Sequence, residues 1–163
     1  TEGRSSDCAA RAAAFVRAAF HSAGRPPDFL AGRTVSHVVA EAELLVDANK
    51  RIDILVDLTF DDGTCAGAVI EAKFGADLSV DQLGSYRAHA MSRPGWCAER
   101  AAFLVVAPMT GGLNRAVLDR NPDWASQSWW NFLHHMEQEL SPNHDCSDYR
   151  RFRRTVWNRA YGS

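Results

Sequence analysis

Two carboxylates and a lysine lie on two neighbouring apolar runs of the sequence. The first run contains Asp53, and the second ends in Glu71, Ala72 and Lys73. Strict alternation predicts that the first run is a strand with one uniformly apolar face, formed by Ile52, Ile54, Val56, Leu58 and Phe60. Asp53 then projects from the opposite face, where a buried carboxylate needs a partner. Alternation also places Glu71 and Lys73 on one face of the second strand, so the three side chains are expected to meet.

This trio fits the metal-assisted hydrolysis of a phosphodiester. Two carboxylates can hold a hard divalent cation such as Mg²⁺, which keeps several waters and stabilises charge on the scissile phosphate. A lysine beside them can orient the attacking water, help to deprotonate it and neutralise the developing charge. The residue types therefore predict a metal-dependent phosphodiesterase.

The pattern continues into the next predicted helix, which contains Gln82 and Tyr86. Together, the aspartate, the Glu-Ala-Lys run and this Gln-x-x-x-Tyr helix resemble the PD-(D/E)xK nuclease superfamily, and within it uncharacterised bacterial nuclease-like proteins. The resemblance covers residues 35–107 well and the flanks only loosely. One difference is Ile52, which stands where the name-giving proline of the family would be.

The resemblance implies a restriction-endonuclease-like fold and a divalent-metal-dependent nuclease. Asp53 and Glu71 would bind Mg²⁺ or Mn²⁺, and the carbonyl of Ala72 would add a further ligand. Lys73 would be the catalytic lysine, with Gln82 as an additional site residue. The implied partner is nucleic acid, with DNA favoured over RNA, and a homodimer is the assembly that double-strand cutting by such domains commonly uses.

Each of these residues also has a purely structural interpretation. A Glu-x-Lys pair on an exposed strand is usually a solvated charge pair, and the motif is frequent by chance. Gln82 would complete a capping box by reaching back to the backbone amide of Ser79. Tyr86 would be an ordinary core residue with its hydroxyl at the rim. The alternative function is therefore a nuclease-like binding or assembly module without catalytic activity.

A further acid is expected near the metal by the same resemblance. Glu41 and Glu43 share one face of the strand that precedes Asp53. Pairing Leu45 with Arg51 would place Glu43 directly opposite Asp53, whereas a slip of one residue would send both glutamates to the far side. We favour Glu43 over Glu41 as the additional metal ligand, and a solvated strand face is the alternative.

The apolar patterns predict one α/β domain over residues 1–163. The Asp-Asp-Gly turn at residues 61–63 makes the two central strands antiparallel neighbours. A helix and another strand follow, so a right-handed crossover should make the last two strands parallel. The expected architecture is a mixed, roughly four-stranded sheet flanked by helices. Its elements are predicted at residues 6–23, 34–46, 51–60, 68–74, 80–91, 101–107 and 147–161.

The first helix is predicted to begin with Ser6 or Asp7 as its N-cap and to stop at Gly24. Glu2 precedes it, and the resemblance makes Glu2 a weak further candidate for the site. The alternative for Glu2 is an acid that interacts with the helix dipole at a frayed terminus.

Charge is unevenly distributed along the chain. The formal net charge is −2 and the pI is about 6.3, which is not typical of a nucleic-acid-binding protein. Five arginines nevertheless crowd the C-terminal segment: Arg150, Arg151, Arg153, Arg154 and Arg159. They form either a solvated helix face or a surface for phosphate groups. The aromatic segment 124–140, with Ser128 as a helix cap, is likewise either core packing or a base-stacking surface.

Composition argues against a membrane protein and against a zinc protein. No run approaches the length of a membrane span and no basic-apolar leader opens the chain, so a soluble, cytoplasmic protein is expected. The four cysteines lack C-x-x-C spacing, which predicts reduced thiols rather than a zinc site. His134 and His135 are adjacent, so on a helix they diverge by about 100° and do not form a metal-binding pair.

Overall fold

The described residues form five α-helices and five strands, besides three short 3₁₀ helices. The structure is a computed structural model that describes residues 2–75, 77–140 and 147–162, and the side chains of residues 2–6 and 148 lie outside that description. In chain order the elements are α1 (Glu2–Ser22), β1 (Val35–Asp47), β2 (Lys50–Phe60), β3 (Cys65–Ala72), α2 (Val80–Met91), β4 (Ala101–Ala107), α3 (Arg115–Asp119), β5 (Trp124–Ser128), α4 (Trp129–Glu139) and α5 (Ser147–Tyr161).

The strands form one mixed sheet in the order β1-β2-β3-β4-β5. The pairs β1–β2 and β2–β3 are antiparallel, and the pairs β3–β4 and β4–β5 are parallel. The predicted α/β class, the central hairpin and the parallel crossover through α2 are confirmed. Because β3 lies where the antiparallel and parallel halves meet, it is paired on both edges.

The fifth strand, β5, was not predicted. The segment 124–140 was assigned as a single aromatic stretch with a helix after Ser128. Its first five residues instead pair with β4, and the helix α4 begins directly after them. This strand is short and half polar, with the sequence Trp-Ala-Ser-Gln-Ser, so it lacks the apolar run that marks a buried strand. The Ser128 cap is confirmed, since its hydroxyl accepts a hydrogen bond from the Asn131 N–H at 3.2 Å.

Two apolar clusters cover the two faces of the sheet. One cluster joins β2, β3 and β4 to α1, α4 and α5, and the other joins them to α2 and α3. Ile54 and Val56 belong to the first cluster, as predicted, but Ile52 belongs to the second cluster together with Leu55. Strict alternation fails at this end of the hairpin, where Glu43 on the opposing strand has a φ of 52°. The prediction for Ile52 was therefore wrong.

The helix boundaries follow the sequence signals closely, with one exception. The bounds of α2 and α5 and those of β4 are the predicted ones. The exception is α1, which begins at Glu2, so Ser6 and Asp7 lie inside the helix and do not cap it. Its stop is confirmed: Gly24 has a φ of 68°, and its N–H donates to the His21 carbonyl at 3.0 Å. Among the described helices, none has the length and apolar character needed to cross a membrane.

Gly67 in β3 provides a test of this packing. A Cβ at this position would collide with the Trp96 ring and lie 2.8 Å from the Val56 carbonyl oxygen. We expect Gly67→Ala to lower the free energy of unfolding by about 1–3 kcal/mol, since overpacking in a closed core forces backbone shifts. Urea unfolding measures the change.

Gly84→Ala is the matched control for that experiment. Gly84 lies inside α2, and the nearest heavy atom to an added Cβ is the Asn121 side-chain oxygen at 3.8 Å. This substitution should stabilise the protein by up to about 1 kcal/mol, because alanine is the better helix former. Equal unfolding curves for the two variants would contradict the packing around Gly67.

Candidate active site

The predicted trio comes together at the carboxyl end of β3. Asp53 Oδ2 accepts a hydrogen bond from the Ala72 N–H at 2.7 Å, which ties β2 to β3 at this level. Lys73 Nζ forms an ion pair with Glu71 Oε1 at 2.7 Å. Both charged side chains are almost fully buried, with exposed fractions of 9% for Lys73 and 3% for Glu71. The solvated interpretation of the Glu-x-Lys pair is therefore wrong.

Helix α2 adds two side chains to the trio. Gln82 Nε2 donates to Glu71 Oε1 at 2.8 Å and to the Tyr86 hydroxyl at 2.9 Å. Ser79 is the N-cap of α2, but its side chain makes no capping hydrogen bond. The capping-box interpretation of Gln82 is therefore wrong, and Gln82 instead holds one oxygen of the buried glutamate. Tyr86 is a core residue, 2% exposed, with its hydroxyl in this network.

The electrostatics of the site centre on Glu71. The pKa of Glu71 is raised from 4.5 to about 7, mainly because the carboxyl is buried; the ion pair with Lys73 opposes the rise and the neighbouring Asp53 adds to it. Burial also raises the pKa of Tyr86, and the hydrogen bond from Gln82 partly opposes that shift. The second carboxylate oxygen of Glu71, Oε2, is buried without a hydrogen-bond partner among the described residues. One cation is thus insufficient to satisfy this carboxylate.

These oxygens suit a hard divalent cation. Such an ion binds carboxylate and carbonyl oxygens, and Mg²⁺ is usually held by one or two carboxylates while it keeps several waters. The unpartnered Oε2 of Glu71, with Asp53 beside it, is the donor set that fits. The described part of the chain contains no group of three or more His, Cys, Asp or Glu side chains that could hold a metal ion. The fit is therefore to a hydrated ion rather than to a cage made wholly of protein ligands.

Glu43 does not form a metal-binding cluster with Asp53 and Glu71 in the described structure. The predicted register is confirmed, since Leu45 pairs with Arg51, and the pairs on either side of Glu43 and Asp53 are Ala42 with Ile54 and Leu44 with Ile52. Its side chain is exposed and its backbone has the positive φ described above. The assignment of Glu43 as a metal ligand remains a prediction, and so does that of the Ala72 carbonyl. The side chain of Glu2 lies outside the described residues.

Glu41 belongs to a second ionic cluster that sequence reasoning missed. Arg93, just after α2, binds Glu41 Oε2 at 3.0 Å and Asp57 Oδ2 at 3.2 Å. Asp57 lies on the same strand as Asp53, four residues further along, and Arg93 neutralises its charge there. The acids on neighbouring strands are visible in the sequence, but their shared partner is not, because it comes from a different element.

The histidines provide no metal site in the described residues. His21 bonds Glu139 at 3.1 Å and stacks on His135 with ring centroids 5.8 Å apart. His135 therefore packs against α1 through this stacked pair. His144 and Cys146 lie outside the described residues.

The raised pKa of Glu71 predicts a pH dependence of stability. The carboxyl titrates near 4.5 when unfolded and near 7 when folded, so the folded protein binds more protons between these pH values. The free energy of unfolding should therefore fall as pH rises from about 4.5 to 7, by on the order of 2–3 kcal/mol, and then level off. Urea unfolding in chelator measures this for the native protein and for Glu71→Gln. Glu71→Gln should lack this pH-dependent change in the free energy of unfolding. Identical pH profiles for the two proteins would contradict the raised pKa of Glu71.

The ion pair predicts strong coupling between its two members. At pH 8, Lys73→Met leaves an unpaired carboxylate in the core and should cost about 3–5 kcal/mol. The double variant Lys73→Met with Glu71→Gln buries no charge and should recover most of that loss. Urea unfolding of both single variants and the double variant gives the coupling energy. Additive losses would show that the two side chains do not interact as described.

Comparisons with known proteins do not assign the chain to a family. No protein-family model matches the sequence, no curated protein matches it and no solved structure matches the fold. The PD-(D/E)xK resemblance therefore stands on the residues alone, and the function must be argued from the site.

Proposed function

We propose that this protein is a divalent-metal-dependent nuclease of the PD-(D/E)xK type, and that DNA is its substrate. The observation that carries the proposal is the buried, unpartnered oxygen of Glu71 beside Asp53 and Lys73. A carboxylate with a raised pKa, a second acid and a lysine in one place are the groups that metal-assisted phosphodiester hydrolysis requires.

Each side chain has a distinct part in the proposed reaction. Asp53 and Glu71 would hold Mg²⁺ or Mn²⁺, with the Ala72 carbonyl as a further ligand. The bound ion would neutralise charge on the phosphate and lower the pKa of the attacking water. Lys73, which is held by Glu71 Oε1, would orient that water and neutralise the developing negative charge. Gln82 donates to the same oxygen of Glu71 as Lys73 does, so Oε2 would be the oxygen that binds the ion.

One observation favours the alternative, a binding or assembly module without catalytic activity. The Lys73–Glu71 ion pair is closed and buried, so Glu71 Oε1 already has a cationic partner. A purely structural pair would be formed in this way. It leaves the second oxygen of Glu71 buried and without a partner beside Asp53, which is why we favour the nuclease.

Cleavage of nucleic acid tests the proposal. Supercoiled plasmid, single-stranded DNA and RNA are incubated with the purified protein in Mg²⁺, Mn²⁺ or chelator. Metal-dependent cleavage is expected, and Asp53→Asn and Lys73→Gln should each lower its rate by about 100-fold or more, since the first removes a charged metal ligand and the second removes the cation that neutralises the developing charge. Asp53→Asn keeps the shape of the side chain and an oxygen for the Ala72 N–H.

Asp61→Asn is the matched control, because it removes an exposed carboxylate from the β2–β3 turn, away from the site. Its cleavage rate should equal that of the native protein. Absence of cleavage of every substrate by folded native protein, with either metal, would favour the non-catalytic module. Cleavage that persists in Asp53→Asn would place the active site elsewhere.

A further inference from the structure

Helices α4 and α5 present a surface of arginine and tryptophan side chains. We call it the arginine–tryptophan surface, and its members are Trp130, Arg150, Arg153, Arg154 and Trp157. On α5 these residues follow a helical spacing of three and four, so they share one side of the helix. Tyr149 and Val156, on the inward side, are buried in the core. The surface is therefore distinct from the packing face of α5.

The two tryptophans are exposed to a degree that core packing does not explain. Trp130 is 58% exposed and Trp157 is 37% exposed. Their ring centroids lie 5.0 Å apart, with an angle of 56° between the ring planes. The predicted core role of the aromatic segment holds for Trp129 and Phe132, which are buried, but not for Trp130. The pair offers flat apolar faces to whatever binds there.

The charge around the tryptophans is positive. Helix α5 contains five arginines and one aspartate, although the whole chain carries a net charge of −2. Arg153 forms an ion pair with Glu137 of α4, which joins the two helices at this surface. Phosphate groups are the anions that an arginine cluster with this spacing suits, since guanidinium groups bind them in a bidentate manner.

Beyond this surface, the end of α5 contacts the end of the sheet that holds the candidate active site. Phe74 directly follows Lys73, and it stacks on Trp129 with ring centroids 5.5 Å apart. The Arg159 guanidinium lies 4.5 Å from the centre of the Phe74 ring. The Tyr161 hydroxyl donates to the Pro108 carbonyl at 3.0 Å and accepts from the Trp130 N–H at 3.0 Å. These contacts attach the end of α5 to the chain just after β3 and β4.

We propose that the arginine–tryptophan surface binds single-stranded nucleic acid and that it guides the strand to the site at the end of β3. Exposed aromatic rings stack on unpaired bases, and arginines contact the phosphates between them. A duplex shows only the edges of its bases, so it could use the arginines but not the tryptophans. The guiding role rests on the proposed nuclease function, whereas the binding itself does not.

Binding measured without cleavage tests the inference. Fluorescence anisotropy of a labelled single-stranded oligothymidylate of about 12 nucleotides is recorded in chelator, with a duplex of equal length for comparison. The single strand should bind more tightly than the duplex. Trp130→Ala and Trp157→Ala should each weaken its binding by about tenfold, since stacking on one base contributes about 1–3 kcal/mol. Trp157→Phe, which keeps an aromatic face, should retain most of the affinity.

Matched variants elsewhere on the protein separate a local effect from a general one. Leu45→Ala removes an exposed apolar side chain from β1, and it should leave binding unchanged. Arg154→Ala should lower the slope of log affinity against log salt by about 0.7, the value for one phosphate contact on a single strand. Arg120→Ala, an exposed arginine after α3, should not change that slope.

The outcomes separate this inference from the nuclease proposal. Native protein that binds single strands in chelator through the two tryptophans, but cleaves nothing with either metal, supports the surface and overturns the nuclease. Cleavage that depends on Asp53, together with tryptophan variants that bind and cleave as the native protein does, overturns the surface alone. Duplex binding as tight as single-strand binding would also overturn it.

Discussion

The site depends on one constraint, the exclusion of water from the carboxylate of Glu71. Both faces of the sheet are covered at β3, so burial alone would favour the neutral acid. Lys73 and Gln82 satisfy one carboxylate oxygen, yet the pKa of Glu71 stays at about 7, which shows that burial outweighs the lysine. A second cation stabilises the charged form of such a buried carboxylate more than it stabilises an exposed one. This stabilisation is the physical basis for expecting a metal here.

The position of β3 in the sheet holds the site rigid. On its antiparallel side, β2 brings the carboxylate of Asp53 to the backbone N–H of Ala72. On its parallel side, the Lys73 N–H donates to the Val106 carbonyl of β4 at 2.8 Å. A side-chain carboxylate on one side and a backbone carbonyl on the other therefore fix the two residues that follow Glu71. Helix α2 adds the hydrogen bond from Gln82 to Glu71. The site is therefore held by four elements, β2, β3, β4 and α2.

The distribution of charge reconciles an acidic chain with a proposed polyanionic substrate. Arg93 neutralises Glu41 of β1 and Asp57 of β2, so these two acids do not add to the negative field at the sheet. Arginines concentrate on α5, whose end is attached to the sheet beside Lys73 through Phe74. The net charge of the whole chain does not show this separation of acidic and basic regions. The local field, rather than the total charge, decides where an anionic strand can approach.

Alternation and local signals in the sequence determined much of the fold and the composition of the site. They predicted Asp53, Glu71 and Lys73 on one side of a hairpin, the bounds of α2, β4 and α5, and the Ser128 cap. These features depend on residues that are close in sequence, where periodicity and capping act. Four of the five strands were predicted for the same reason.

Only the tertiary structure decided the remaining features. It paired Trp124–Ser128 with β4, moved Ile52 to the other face, and directed Gln82 to Glu71 instead of to its own helix cap. It also paired Glu41 with Arg93 and placed Trp130 on the surface. The physical reason is common to all of these. The partner of a strand edge, a long polar side chain or an aromatic ring is chosen by what the folded chain brings near it, and local sequence does not contain that information.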